Sequence, residues 1–262
     1  MRRVLTALVL IPAVMWLIFR GPALGVRAVL AAVALLCLHE CLTLVRAGGA
    51  EPYKWASYAA GAVLVMAAGI PHPAFLIGFA MLLMGLGVKR VAVGPSGRSF
   101  AAAAATLFAV VYTCGPYAIA RDLYTLSPHW LFVVLVVNWV GDSAALYVGR
   151  SIGKHKLAPH VSPGKTWEGT IGSLIFGTAA GTAYLLYFLP EVTTPALAVG
   201  LCAVANAAGQ FGDLSESALK RAVGVKDSGN LLPGHGGMLD RMDSALFAFP
   251  AAYWYLTLAR WL

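Results

Sequence analysis

Apolar residues arrive in long runs, and polar ones gather in the gaps between them. Nine runs stand out, at about 4–19, 23–45, 55–70, 73–88, 100–120, 129–149, 168–189, 195–215 and 243–261. A helix needs about 20 mostly apolar residues to cross a bilayer, and each run reaches or approaches that length. The pattern predicts an all-α, polytopic integral membrane protein with about nine transmembrane helices. Pro71-His72-Pro73 marks a tight turn between the third and fourth runs, and Gly94-Pro95-Ser96-Gly97 a loop before the fifth. The first run is short, so it either tilts little or thins the bilayer locally.

Composition sharpens this. Of 262 residues, 60% are hydrophobic and 11% charged, against roughly 25% charged in soluble domains, which excludes a water-soluble globule. The N-terminal MRRVLTALVLIPAVMWLIF resembles the basic and apolar regions of a signal peptide. Arg20-Gly21-Pro22 follows where a small-residue cleavage site would stand, so the segment reads as a retained helix. Cys37, Cys41, Cys114 and Cys202 all lie within apolar runs and form no CxxC pair, which reads as packing rather than zinc binding or disulfides. No repeat or soluble domain is visible. The expected division is a transmembrane scaffold over 1–90 and a catalytic region over 91–262.

Charge sets the expected orientation, because Lys and Arg favour cytoplasmic loops. With the N-terminus in the cytoplasm, 15 of the 19 basic residues fall on that side, and only Arg20, Arg27, Arg121 and Arg260 fall on the other. The two long polar loops, 150–167 and 216–242, then face the cytoplasm.

Those loops carry the chemistry. Between Ser217 and Asp243 lie Lys220, Arg221, Lys226, Asp227, His235, Asp240 and Arg241, with Gly229, Pro233, Gly234, Gly236 and Gly237 among them. A glycine-rich loop exposes backbone N–H groups to anions, and nearby cations add charge and donors. The 150–167 loop holds Arg150, Lys154, Lys156 and Lys165 with Ser162 and Thr166. Taken alone it serves equally as a topogenic patch or as an anion site. Thr166 is placed to cap the helix that follows.

Carboxylates at membrane depth are costly and are functional candidates by default. Asp142 lies near the cytoplasmic end of the sixth run, and Asn138 one turn earlier offers it a purely structural partner. Asp213 lies near the end of the eighth run, with Glu216 and Ser217 on the same helix face. Asp240 and Asp243 sit at i, i+3 at the start of the ninth. Two such carboxylates meeting beneath a basic loop would make an oxygen-ligand site for Mg²⁺. Glu40, beside His39 in the second run, reads as structural, paired with His39 or a backbone donor.

The order of residues from Ser217 to Asp243 is S-x-x-K-R, K-D-x-G, then L-P-G-H-G-G-x-x-D-R-x-D. It resembles the signature of the phosphatidate cytidylyltransferases, the CDP-diacylglycerol synthases. The stretch Ser162-Pro163-Gly164-Lys165-Thr166-Trp167-Glu168-Gly169 is similar to a second family motif, with Gly164 where a polar residue is common. The resemblance implies Mg²⁺-dependent attack of phosphatidic acid on CTP, giving CDP-diacylglycerol and pyrophosphate, in a bacterial cytoplasmic membrane. It implies catalytic Lys220, Arg221, Lys226, Asp227, His235 and Asp243. Substrate contacts fall to Ser162, Lys165, Thr166, Ser217, Gly234, Gly236, Gly237 and Arg241, and metal to Asp213, Asp240 and Asp142. A monovalent cation such as K⁺ and a homodimer are left open, and nucleic acid is not expected as a partner. The rivals are a CTP-dependent polyprenol kinase and, in another class, an ion or organic-anion transporter. A transporter would show internal inverted repeats, and none is visible.

Overall fold

Backbone in hydrocarbon must satisfy its own N–H and C=O groups, so apolar runs of spanning length become helices. The computed structural model describes residues 12–67, 72–93, 99–231 and 236–259. Residues 12–20 are helical. Then come α1 (Ala23–Ala47), α2 (Lys54–Met66), α3 (His72–Val93), α4 (Ser99–Thr113), α5 (Gly115–Leu126) and α6 (Pro128–Ile152). A two-stranded hairpin, β1 (Lys156–Ala158) and β2 (Ser162–Thr166), precedes α7 (Trp167–Phe188), α8 (Pro195–Ala222) and α9 (Leu239–Leu258). Among the described residues, five stretches are long and apolar enough to cross a membrane: Ala23–Ala47, Ser99–Leu126, Pro128–Ile152, Trp167–Phe188 and Pro195–Ala222. The chain is an all-α integral membrane protein. The Pro71 turn and the Gly94–Gly97 loop lie wholly or partly outside the described residues.

Three local differences from the sequence reading matter. The fifth run is two helices, α4 and α5, parted at Cys114, where Pro116 cannot donate to the preceding turn and starts a new helix instead. The expected loop 216–242 begins later, because α8 continues to Ala222 through Ser217, Lys220 and Arg221. Helix-forming residues and the i, i+4 pair of Glu216 with Lys220 carry it on past the apolar run. The 150–167 loop is largely ordered as well. β1 and β2 pair antiparallel, Lys156 opposite Thr166 and Ala158 opposite Ser162, and the Trp167 N–H donates to the His155 carbonyl at 2.9 Å.

Polar side chains join α7 and α8 inside the bundle. Asn206 Nδ2 on α8 donates to Ser173 Oγ on α7 at 3.2 Å, and Gln210 Nε2 donates to Asn206 Oδ1 at 2.7 Å and to the Thr170 carbonyl at 3.2 Å. Such bonds between helices do in hydrocarbon what the hydrophobic effect cannot. The four cysteines are buried and free. Elsewhere, His129 Nδ1 pairs with Tyr184 Oη at 2.7 Å amid Phe19, Phe132 and Phe188. Arg121 is buried, donating to the carbonyls of Leu64, Val65 and Ala67 and pairing with Asp122 at 2.8 Å.

Candidate active site

The hairpin brings its lysine onto the helix bundle. Thr166 Oγ1 accepts the Gly169 N–H at 3.2 Å and caps α7, which fixes where β2 ends. Glu168 holds the other end of the hairpin, accepting from His155 Nδ1 at 2.6 Å and from the His155 N–H at 3.3 Å. Lys165, just before the cap, reaches Asp213 on α8, Nζ to Oδ2 at 2.8 Å. A cavity of about 340 Å³ opens there, lined by Asp142 and Leu146 from α6, Ser162, Gly164 and Lys165 from the hairpin, Thr170 and Ser173 from α7, and Gln210 and Asp213 from α8. Asp243 on α9 lies within electrostatic reach of Asp213, Asp142 and Lys165. Asp213 pairs with that lysine directly, and Asp142 and Asp243, on two other helices, lie within its electrostatic reach.

A second group of charges lies beside the first. Lys220 Nζ is held at 2.5 Å from both Glu216 Oε2 and Asp240 Oδ1, and the lysine is only 8% exposed. Asp240 Oδ2 accepts three more bonds: from the Gly237 N–H at 2.8 Å, the Ser228 N–H at 2.9 Å and Ser228 Oγ at 3.0 Å. Asp240 stands in the first turn of α9, ahead of its apolar run. Burial pushes its pKa up, but Lys220 and the two N–H groups pull it down further, to about 2. Ser228 Oγ and the N–H groups of Met238 and Leu239 all reach Glu40 on α1, at 2.8, 2.9 and 2.8 Å. Gly236 has a φ of 77°, which favours glycine, and a Cβ on Gly237 would collide with Ser228 Oγ and Glu40 Oε2.

The expected site residues therefore divide. Asp142, Asp213, Lys165 and Ser162 share the cavity, and Ser217 Oγ donates to Asp213 Oδ1 at 3.4 Å. Asp240 does not join Asp213 as paired metal ligands would, since its oxygens are occupied by Lys220, Ser228 and Gly237. Lys220 is locked between two carboxylates, and Arg221 Nη1 donates to the Val225 carbonyl at 2.8 Å. Thr166 also lines the cavity, while its hydroxyl oxygen accepts the Gly169 N–H. Lys226, Asp227 and Arg241 are exposed, while Gly234 and His235 lie outside the described residues. Glu216 and Glu40 join the second group and were not expected there. Glu40 takes backbone donors as one of its two sequence readings allowed, but His39 turns away to Tyr58 Oη at 2.6 Å. Among the described residues no three of His, Cys, Asp and Glu converge closely enough to hold a metal ion by themselves.

Fold and site together define a polytopic membrane bundle with a lysine-bearing hairpin set against helix-borne carboxylates. The chain belongs to the cytidylyltransferase family, whose model matches residues 1–259. It is 46% identical over 138 residues to a phosphatidate cytidylyltransferase of Bacillus subtilis, covering 52% of this chain and 50% of that protein. A phosphatidate cytidylyltransferase of Haemophilus influenzae is 42% identical over 158 residues, covering 56% of this chain and 54% of its own. One of Staphylococcus aureus is 40% identical over 152 residues, covering 58% of each. The matched stretch spans about half the length of these relatives.

Proposed function

We propose that this protein is a phosphatidate cytidylyltransferase, joining CTP to phosphatidic acid at the cytoplasmic face of a bacterial inner membrane. The observation that carries the reading is the Lys165–Asp213 pair lining the cavity, which ties the Ser162–Gly169 stretch to α8 one turn before the second signature stretch begins at Ser217. The names of the relatives support the same substrates.

In the reaction, a phosphate oxygen of phosphatidic acid bonds to the α-phosphorus of CTP. The bond from that phosphorus to the bridging oxygen breaks, and pyrophosphate leaves with the electron pair. The attacking oxygen is already anionic, so the protein supplies position and charge rather than a nucleophile. Lys165 would exchange Asp213 for a triphosphate oxygen when CTP enters. Ser162 and the Gly164 backbone would line the anion's path, and Lys226 and Arg241 would add positive charge from the rim. Lys220 would act from behind, holding α8 to α9.

The all-oxygen donor set fits a hard divalent cation. Asp213, with Asp142 and Asp243 nearby, would hold Mg²⁺ together with substrate oxygens. Bound there, Mg²⁺ would neutralise charge building on the phosphates. The test is purified protein with CTP and phosphatidic acid, with and without Mg²⁺. CDP-diacylglycerol and pyrophosphate in equal amounts are expected. CDP with a phosphorylated polyprenol would mean a kinase instead, and no turnover of CTP would refute the transferase reading.

A further inference from the structure

Glu40 lies in the middle of an apolar helix and is 4% exposed, a costly place for a carboxylate. Packing of α1 alone would be served as well by a leucine. Among the described residues, the hydrogen bonds that Glu40 accepts come instead from the stretch around Ser228 and the start of α9, 188 to 199 residues away. Two of the donors, the Met238 and Leu239 N–H groups, belong to a helix start, where no carbonyl of the same helix can reach them. Negative charge is favourable at that end of the helix. Glu40 therefore caps α9 from a different helix. The third donor, Ser228 Oγ, is shared with Asp240. One carboxylate thus fixes the first turn of α9, and Asp243 rides on the second.

We propose that Glu40 is a positioning residue for the active site: from the N-terminal half, it sets where α9 begins and hence where Asp243 points. It does not touch substrate. This rests on the transferase reading, in which Asp243 serves the site. A carboxylate that merely glued the bundle together would act on stability alone.

The experiment uses the full chain purified in detergent, as wild type, Glu40→Gln, Glu40→Ala and Ser228→Ala. Turnover, KM for CTP, melting and backbone hydrogen exchange over 226–243 are measured, with α6 as the reference segment. Gln keeps the size and one acceptor, so kcat should fall about tenfold in Glu40→Gln and further in Glu40→Ala, with KM for CTP within about threefold. Exchange should quicken over 226–243 and hold steady in α6. Normal kcat in a variant that purifies as wild type would overturn the proposal. So would faster exchange spread evenly through the bundle. If Glu40→Ala does not insert, Glu40→Gln and Ser228→Ala decide. If wild type turns over no CTP, the transferase reading fails separately, and exchange alone judges the positioning. Loosening confined to 226–243 then supports it, and unchanged exchange sinks it.

Discussion

Replacing Lys165 by alanine removes the cation paired with Asp213 and within electrostatic reach of Asp142 and Asp243, and its two costs differ enough to separate. At 2.8 Å from Asp213 the gross Coulomb attraction is about 6 kcal/mol at an effective dielectric near 20. The two side chains are 23% and 32% exposed, however, and pairs open to solvent net only about 0.2–1 kcal/mol. Insertion and melting should therefore barely change. The reaction should suffer far more, because losing a preorganised donor to a developing phosphoryl charge costs about 2.7–4 kcal/mol, or about 10²–10³ in kcat. The assay is CDP-diacylglycerol formation at saturating CTP, set beside a melting curve of the same preparation. Lys165→Arg, which keeps the charge, should retain more activity than Lys165→Ala. Near-normal turnover in Lys165→Ala would refute the reasoning and leave Lys165 a topogenic residue. A large drop in melting with turnover per folded molecule intact would do the same.

Three further outcomes are expected. Asp213→Asn and Asp243→Asn should each lose nearly all transfer and still purify as wild type; Glu191→Gln, on an exposed turn, is the silent control, since Asp122 is tied to buried Arg121. Asp240→Asn should instead lower melting, because it strips a partner from buried Lys220, a loss on the order of 3–5 kcal/mol. With its pKa lowered to about 2 against about 3.9 unfolded, Asp240 contributes stability above about pH 4, so the melting gap between wild type and Asp240→Asn should close as pH falls from 4 towards 2. Finally, a reporter fused after Leu262 should read on the side opposite the cytoplasm, and a cytoplasmic reading would overturn the orientation drawn from charge.

The helices were legible because a bilayer demands one pattern, a long apolar run, and the runs at 129–149 and 168–189 match α6 and α7 within a few residues. Apolarity could not show where a helix leaves the membrane and continues. Ser-Glu-Ser-Ala-Leu-Lys-Arg-Ala is polar yet strongly helical, so α8 outlasts its apolar run and turns Lys220 inward. The β-hairpin was hidden because its strands are three and five residues long, and one of them reads Ser-Pro-Gly-Lys-Thr. The grouping of the aspartates was half visible. Spacing put Asp240 and Asp243 on one helix, and side chains three apart still differ by about 60° around the axis and one turn along it, enough for different neighbours. Asp243 comes within electrostatic reach of Asp213, and Asp240 bonds Lys220. Glu40 gave only the signal of a charge in an apolar helix. Its partners are too distant in sequence for any local pattern to name them.

The cap on α9 also has a bearing on the order in which the molecule can be made. Glu40 and the Met238 N–H are separated by 198 residues, so the carboxylate is synthesised long before its donors exist. At about 5–20 residues per second, it waits about 10–40 s in an inserted helix before the start of α9 arrives. Until then the helices can cross the membrane one by one, but the segment around Ser228 has nothing to close against. The end of the protein that carries the proposed site is thus the last part to mature, while most of its bundle already stands.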